Sequence, residues 1–296
     1  MKRSYFICVL TFCLWGSVYV FSKYAMASFS PMTVMFIRNL IAALFIFAVA
    51  PKKQFQKIRR EHIKYFLLTG ILGYFLANGL VMHSTHLMSS TLSSLINSAN
   101  PVFIMLFAAL LLRERMTFCK GIGTACALTG VVFVIGIDFG HISTAGVLCS
   151  IFGVVFGALG STIVRKVSAY YIPEQITVCY FVISLPFCLI ASVIETVREP
   201  LPITLSGVGA VLYIGIVTTA IANLLWNKSL TVMDASVCSM FYPLQPMFAA
   251  LFSVILLGEK ITPELVGGGL LIALGVLIGL GLPGYLKQHK KQSHLP

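Results

Sequence analysis

One segment of this sequence occurs twice. Residues 100–117 read NPVFIMLFAALLLRERMT and residues 245–262 read QPMFAALFSVILLGEKIT, so the second copy follows the first by 145 positions. Each copy has a proline inside an apolar run, and a glutamate followed by a basic residue just past the end of that run. A segment that returns at a fixed distance indicates a duplicated structural unit.

The same offset relates positions well outside this segment. Matches of Leu, Phe or Val are expected by chance in so apolar a chain, but matches of Asn, Pro, Glu and Gly are not. The informative pairs at this spacing are Asn78/Asn223, Pro101/Pro246, Glu114/Glu259, Gly123/Gly268 and Gly130/Gly275. They predict a first copy at residues 1–140 and a second at residues 141–284, followed by a short basic tail at residues 285–296.

The composition indicates an all-α integral membrane protein. The chain is 58% hydrophobic and only 10% charged, and its apolar runs approach the ~20 residues that a helix needs to cross a ~30 Å hydrocarbon core. Ten transmembrane helices are predicted, at residues 4–24, 32–50, 64–86, 89–112, 119–137, 144–165, 174–195, 206–228, 235–257 and 262–282.

The net charge is +12, and the distribution of the basic residues along the chain indicates the membrane topology. If the N-terminus is cytoplasmic, 17 of the 21 Lys and Arg residues fall on the inner side, three fall on the outer side, and Arg38 lies within a span. This bias predicts that both termini are cytoplasmic, in a protein of the cell membrane. It also accounts for the positive charge without a nucleic-acid partner.

The first apolar run has a second interpretation. Lys2 and Arg3, the apolar stretch after them and the sequence Ala25-Met26-Ala27 also resemble a signal peptide with its cleavage site. The run is long for the apolar part of a signal peptide, and its removal would leave nine helices and spoil the repeat. We therefore expect it to be retained as the first span.

Each copy is predicted to contain five helices. Because five is an odd number, the second copy enters the membrane from the opposite face, and the two copies form an inverted repeat. Such repeats place a substrate site near the midplane between the copies, since two near-equivalent halves can open alternately to either side. The sequence therefore predicts a central cavity.

Pro101 and Pro246 are predicted near the middle of the fourth and ninth helices, as helix kinks. A proline lacks a backbone N–H and frees the carbonyl four residues earlier, which in lipid needs protein or water as a partner. Matched polar residues lie beside the prolines, namely Thr91, Ser94, Asn97 and Asn100 in the fourth helix and Ser236, Ser239, Tyr242 and Gln245 in the ninth. These side chains either line the cavity or join neighbouring helices through hydrogen bonds.

Arg38 is the one charged residue predicted well inside a span, about 10 Å from the outer end of the second helix. A buried guanidinium implies a partner or water, and its planar geometry suits a carboxylate or a phosphate. Two alternatives stay open: Arg38 extends outward to the membrane surface, or it binds neighbouring carbonyls.

Aromatic and amide side chains complete the set of candidates. Trp15 and Tyr19 lie one turn apart in the first helix and either bind substrate or act as interfacial anchors. Trp226 lies two residues from the predicted end of its helix, as an anchor would. Asn78 and Asn223 either contribute to the cavity or join helices. The predicted substrate-binding residues are Trp15, Tyr19, Arg38, Asn78, Asn97, Asn100, Asn223, Tyr242 and Gln245.

Several classes of function lack the residues they need. The nine acidic residues fall at or beyond predicted helix ends, so no carboxylate is expected in the membrane interior to hold a cationic drug. No phosphate-binding loop, nucleophile with a base or paired carboxylate site is found in the sequence, which argues against an enzyme and against a cofactor. His83 and His86 lack a third ligand, so no metal site is predicted.

These residues together resemble the EamA-like branch of the drug/metabolite transporter superfamily over essentially the whole chain. The features that carry the resemblance are Trp15-Gly16-Ser17 with Lys23, Arg38, the two prolines with their apolar runs, Arg113-Glu114, Gly258-Glu259 and the glycine-rich fifth and tenth helices. The resemblance implies ten helices in two inverted repeats around a central cavity, and transport of small metabolites, often amino acids, usually outward. We interpret the family-typical Glu114 and Glu259 as structural residues that cap or pair near a helix junction.

The sequence as a whole predicts a secondary carrier that exports a small polar metabolite by alternating access. An amino acid is the leading candidate, because Arg38, amides and aromatic rings together suit a zwitterion with an apolar part. The expected partners are this metabolite and the lipid bilayer, and a monomer is favoured. The alternatives are a non-transporting membrane sensor or scaffold and a multidrug efflux carrier.

Overall fold

The fold was analysed in a computed structural model, which describes residues 2–87, 96–135, 143–198, 202–257 and 263–292. Every regular element in these ranges is helical. The first copy contains α1 (Lys2–Met26), α2 (Pro31–Val49), a short 3-10 helix (Lys52–Gln54), α3 (Arg60–Leu68), α4 (Ala77–Leu87), α5 (Asn100–Leu112) and α6 (Phe118–Ile135). The second copy contains α7 (Thr144–Val167), α8 (Pro173–Arg198), α9 (Leu205–Tyr213), α10 (Ala222–Val232), α11 (Ala235–Ser239), α12 (Leu244–Leu257) and α13 (Pro263–Gln292).

Seven stretches of the described residues are long and apolar enough to cross a membrane. They are Ser4–Met26, Pro31–Val49, Arg60–Ser84, Thr144–Val167, Pro173–Val197, Leu205–Val232 and Ala235–Leu256. Three shorter apolar helices, Asn100–Leu112, Phe118–Phe133 and Val266–Leu280, fall at the places predicted for the fourth, fifth and tenth spans. The all-helical, multi-pass membrane fold is confirmed, and the count of ten spans stays a prediction.

The third and eighth spans each contain a π-helical segment. The first π segment covers Thr69–Leu76 between α3 and α4, and the second covers Ile214–Ile221 between α9 and α10. Their first and last residues are separated by the same 145 positions that relate the two copies. π-Helical turns inside α-helices are rare and occur frequently at functional sites. The duplication is therefore present in the local backbone geometry as well as in the sequence.

The prolines of the repeated segment begin helices and do not kink them. Pro101 is the second residue of α5, after a turn at residues 98–99, and Pro246 is the third residue of α12. Residues 240–243 separate α11 from α12, so the ninth span consists of two helices with a break between them. The prediction of kinks in the middle of continuous helices is wrong in this respect. A proline in the first turn of a helix gives up no intrahelical hydrogen bond, so a helix restarts there readily.

The helices α6 and α13 pack together through glycines that match across the repeat. A Cβ atom added to Gly123 would lie 2.6 Å from the carbonyl oxygen of Gly275, and one added to Gly130 would lie 2.6 Å from that of Gly268. The earlier glycine of each helix thus meets the later glycine of the other, so the two helices run antiparallel. This reciprocal contact is what an inverted repeat requires.

Two further contacts join residues to their own counterparts in the other copy. The Asn39 amide donates to the Ser184 hydroxyl at 3.4 Å, and the Cys126 thiol donates to the Leu271 carbonyl at 3.6 Å. Each pair is separated by 145 positions. A residue meets its own counterpart only where both lie beside the axis that relates the copies, so these pairs mark the position of that axis.

We expect Gly130→Ala to lower the thermal stability of the protein, because its methyl group has no space against the backbone of α13. Overpacking of this kind typically costs about 1–3 kcal/mol. Gly121→Ala, in the same helix, is the matched control, since nothing lies within 4 Å of a Cβ atom added there. Thermal unfolding of both variants in detergent, followed by circular dichroism, measures the difference. Equal unfolding temperatures would contradict the close approach of α6 and α13.

Candidate functional site

A cavity of about 340 Å³ lies between the two copies. Its lining comes from α1, α2, α4, α5 and the first π segment in the first copy, and from α7, α8, α10, α12 and the second π segment in the second. The nine residues predicted to bind substrate all line it, namely Trp15, Tyr19, Arg38, Asn78, Asn97, Asn100, Asn223, Tyr242 and Gln245. The structure thus brings them together in one place, and their role in binding stays a prediction.

Arg38 lies in the wall of this cavity, on α2. Its Nη2 atom donates to the side-chain oxygen of Asn78 at 3.1 Å, so the guanidinium points into the helix bundle. Its Nε atom is buried and has no hydrogen-bond partner among the described residues. Arg38 is also the only charged side chain among the described residues that line the cavity. The cavity therefore carries one positive charge with spare donor capacity, which suits a carboxylate or phosphate oxygen.

The two asparagines that follow the π segments make equivalent hydrogen bonds. The Asn78 amide donates to the Tyr74 carbonyl at 2.9 Å, and the Asn223 amide donates to the Thr219 carbonyl at 2.8 Å. The Tyr74 hydroxyl donates to the side-chain oxygen of Asn223 at 2.9 Å and so connects the third and eighth spans. Both amides therefore line the cavity and also join the helices, and the two interpretations of them are compatible.

An aromatic wall, formed by Phe12, Trp15, Trp226 and Tyr242, bounds the cavity. The ring of Phe12 lies 5.2 Å from that of Trp15, 5.7 Å from that of Trp226 and 4.8 Å from that of Tyr242. The Trp15 indole N–H donates to the carbonyl of Thr218 at 3.1 Å, inside the second π segment. Trp226 is only 2% exposed, so its interpretation as an interfacial anchor is wrong.

The backbone carbonyls at the breaks before α5 and α12 accept hydrogen bonds from nearby donors. The Asn100 amide donates to the carbonyl of Asn97 at 3.0 Å and to its side-chain oxygen at 2.8 Å. The Tyr19 hydroxyl is hydrogen-bonded to the Asn97 side chain. The Tyr242 carbonyl accepts the backbone N–H of Gln245 at 2.9 Å. The carbonyls of Asn97 and Tyr242, which the prolines were expected to free, thus both have hydrogen-bond partners. The side chains of these two residues line the cavity.

Several residues that line the cavity were not predicted from the sequence. Tyr74 lines it and stacks on the fully buried Tyr180, with ring centroids 3.5 Å apart, so this pair packs the third span against the seventh. Thr218 and Thr219 occupy the second π segment at the positions that match Gly73 and Tyr74 of the first. The offset of 145 positions pairs Thr218 and Thr219 with Gly73 and Tyr74, but the paired residues are not identical, so a search for identical pairs did not identify them. The predicted polar positions Thr91 and Ser94 lie outside the described residues.

The cavity extends toward one end of the bundle. Its lining runs along residues 15–26 of α1 and residues 73–82 of the third span, and both stretches lead to the end that carries the α1–α2 turn. Toward the opposite end, where α1 begins, Phe12, Tyr180 and Trp226 are buried, with Phe12 packed against Trp226 and Tyr180 stacked on Tyr74. This aromatic layer closes the cavity on that side.

The end where α1 begins also carries a polar contact between the two copies. The Glu114 carboxylate accepts the backbone N–H of Ala235 at 2.9 Å, and the backbone N–H and hydroxyl of Ser236 at 3.1 and 2.6 Å. Lys120, which is 5% exposed, donates to the same hydroxyl at 2.6 Å. Glu114 thus caps α11, as the structural interpretation of this residue expected. Its counterpart Glu259 lies outside the described residues.

We expect Glu114→Ala to destabilise the protein by about 1–3 kcal/mol, because it removes the acceptor for two backbone N–H groups and one hydroxyl. Glu61→Ala is the matched control, since the Glu61 side chain is 65% exposed and its contact with Arg59 at 3.7 Å is a surface pair. Surface pairs contribute about 0–1 kcal/mol. Thermal unfolding in the same detergent compares the variants, and an equal loss in both would contradict the capping role.

Comparison with known proteins gives consistent matches over the whole chain. The model of the EamA-like transporter family matches twice, at residues 2–136 and 144–280. An uncharacterized transporter of Archaeoglobus fulgidus is 27% identical over 93% of this chain and 98% of its own length. The S-adenosylmethionine/S-adenosylhomocysteine transporter of Chlamydia muridarum is 26% identical over 92% of this chain and 88% of its own length. A crystal structure with 18% identity superposes with a TM-score of 0.82 over 97% of this chain and 99% of that chain, and supports the fold.

Proposed function

This chain belongs to the EamA-like transporter family, and we propose that it is a secondary carrier that exports a small polar metabolite by alternating access of its two inverted repeats. The observation that carries this proposal is the cavity, which both copies line and which is closed toward one end by an aromatic layer. Inverted-repeat transporters place their binding site at this position and expose it alternately to the two sides. The named relatives are transporters and not enzymes.

The substrate class that fits this cavity is an amino acid or a similar zwitterion. Arg38 offers a positive charge and a free donor to a carboxylate, and the amides of Asn78, Asn97 and Asn223 offer polar contacts beside it. The aromatic wall offers an apolar surface to a side chain and its π faces to an ammonium group. The two compounds in the name of the Chlamydia muridarum relative each carry an amino-acid group, which agrees with this choice.

The proposed arrangement in the cell membrane has ten spans and both termini in the cytoplasm. The repeats cover residues 1–140 and 141–284, and residues 285–296 form a cytoplasmic tail. In this orientation the cavity of the present conformation faces the outside, and Glu114, Lys120 and Ser236 lie at the inner end. A substrate that enters from the cytoplasm then requires the aromatic layer and the Glu114 contact to open. We expect a monomer to be sufficient, since one chain supplies both repeats.

The first experiment is a transport screen with the purified protein in proteoliposomes. Radiolabelled amino acids and other small metabolites are tested for counterflow at two imposed pH gradients, which separates facilitated exchange from proton coupling. We expect exchange of at least one zwitterionic metabolite. Failure of every metabolite to exchange, in protein shown to be folded, would favour the non-transporting sensor or scaffold. Exchange of quaternary ammonium compounds alone would favour the multidrug carrier.

We expect Arg38→Gln to weaken binding of a transported amino acid roughly ten- to hundred-fold, because a hydrogen bond to a charged group contributes about 1.5–3 kcal/mol. The carboxamide analogue of the same amino acid, which lacks the negative charge, should lose much less. The matched control is Lys228→Gln, which removes an exposed positive charge on α10 outside the cavity. Competition against counterflow measures both ligands. Equal effects of Arg38→Gln on the acid and the amide would remove Arg38 from carboxylate recognition.

A further inference from the structure

A second cavity, of about 230 Å³, lies at the end of the bundle where α1 begins. It is formed where α3 starts and α7 ends, so its walls come from both copies. It is lined by Glu61, His62, Lys64 and Tyr65 on α3, and by Lys166, Val167, Ala169 and Tyr170 at and after the end of α7. None of these residues lines the cavity between the copies.

The amino groups of two lysines lie near the same ring at this second cavity. The Lys64 ammonium lies 5.3 Å from the centre of the Tyr65 ring, and the Lys166 ammonium lies 4.8 Å from the centre of the same ring. The Arg59 guanidinium lies 5.6 Å from the centre of the Tyr170 ring, beside the cavity. Positive charges grouped in this way attract an anion more strongly than one charge alone. The cavity is therefore electrostatically suited to an anionic group.

The floor of the second cavity is fixed by buried side chains. His62 is 8% exposed, and its Nδ1 atom lies 2.9 Å from the hydroxyl of Tyr171. The same hydroxyl accepts the backbone N–H of Arg59 at 3.1 Å, which holds the link before α3 against the bundle. The His62 ring packs 4.6 Å from that of Tyr170. Buried contacts thus hold the start of α3 against the residues that follow α7, which are the two places that carry the basic side chains.

Glu61, the acidic residue that lines this cavity, does not neutralise the positive charge of the two lysines. Glu61 pairs with Arg59 at 3.7 Å and lies 3.7 Å from the Nε2 atom of His62. Its side chain is 65% exposed, so its effect on the interior of the cavity is weakened by solvent. Lys64 and Lys166 remain in excess over this one carboxylate.

The level of the second cavity relative to the membrane identifies the source of the anion. The span Arg60–Ser84 begins beside it and the span Thr144–Val167 ends beside it, so the cavity lies level with lipid headgroups. Leu68, one turn beyond Lys64 on the same face of α3, is 40% exposed, and its neighbour Leu67 is 44% exposed. An apolar surface thus continues from the basic residues toward the membrane interior, as an acyl chain requires.

We propose that this second cavity binds the phosphate group of an anionic phospholipid of the leaflet that faces the α1 start of the bundle. Basic pockets between transmembrane helices are suited to such headgroups, because each basic side chain contributes attraction to the anionic surface. Lys64 and Lys166 contact the phosphate, Tyr170 forms the opposite wall with Arg59 beside it, and Leu67 and Leu68 contact the acyl chains. The lipid then bridges α3 of the first copy and α7 of the second.

The test compares two double variants of the full-length protein. Lys64→Gln with Lys166→Gln removes the two charges from the cavity and keeps most of each side-chain stem. The control, Lys53→Gln with Lys228→Gln, removes two exposed charges elsewhere on the molecule. Native mass spectrometry then counts the phosphatidylglycerol retained from mixtures with phosphatidylcholine of the same acyl chains. Size-exclusion elution and circular dichroism confirm that each variant is folded.

We expect the cavity variant to retain phosphatidylglycerol roughly ten-fold more weakly than the unaltered protein, and the control variant to retain it nearly unchanged. An equal loss in both double variants would overturn the proposal, because it would assign the binding to general surface charge. A second arm adds inorganic phosphate at constant ionic strength. Displacement of the lipid only at high phosphate concentration supports a lipid site. Saturation by phosphate, without any preference for the anionic lipid, would assign the cavity to a soluble phosphate and overturn the lipid assignment.

Discussion

The cavity between the copies depends on one constraint, which is that backbone carbonyls must stay hydrogen-bonded where the helices are interrupted. In a membrane, water does not replace a missing partner unless a cavity admits it. The interruptions here are the two π segments and the breaks before α5 and α12, and all four border the cavity. Side chains donate to the carbonyls at three of them, through Asn78, Asn223, Trp15 and Asn100, and the backbone N–H of Gln245 donates at the fourth. The residues that stabilise the broken backbone are thus also the residues that face the space inside it.

The duplication explains the shape of the cavity, and the divergence of the copies explains its chemistry. Equivalent positions of the two copies line the cavity with different residues. Asn97 of the first copy corresponds to Tyr242 of the second, and Tyr74 corresponds to Thr219. Arg38 has the apolar Ile183 as its counterpart. Two near-identical halves are suited to exposing one site alternately to two sides. Their unlike linings give the cavity one cationic wall and one aromatic wall, which is the asymmetry that the proposed zwitterionic substrate requires.

The sequence predicted the architecture well because the repeat offset links distant residues without reference to structure. Hydropathy and the offset together located the helices, the relation between the copies and the residues that line the cavity. They failed at Pro101 and Pro246, because a proline within an apolar run is compatible with a kinked helix and with the start of a new one. The π segments were not predicted either, since they differ from α-helix by a shift of hydrogen bonds and not by residue type. Trp226 was misjudged because α10 continues to Val232, four residues past the predicted end of that span, so Trp226 lies deeper than expected.

The short helix α11 connects the Glu114 contact between the two copies with the aromatic wall of the cavity. Its first residues are capped by Glu114 from the other copy, and residues 240–243 after it carry Tyr242 in the aromatic wall. Five helical residues span only about 7.5 Å, so the capped end of α11 lies close to the turn that carries Tyr242. Under the proposed alternating access, we expect a displacement of α11 that releases the Glu114 contact to move Tyr242 as well. Turn-type hydrogen bonds join α11 to α12, because the backbone N–H groups of residues 240–242, 244 and 245 each donate to the carbonyl three residues earlier. The polar contact between the copies and the wall of the cavity are in this way connected through one short, hydrogen-bonded run of backbone.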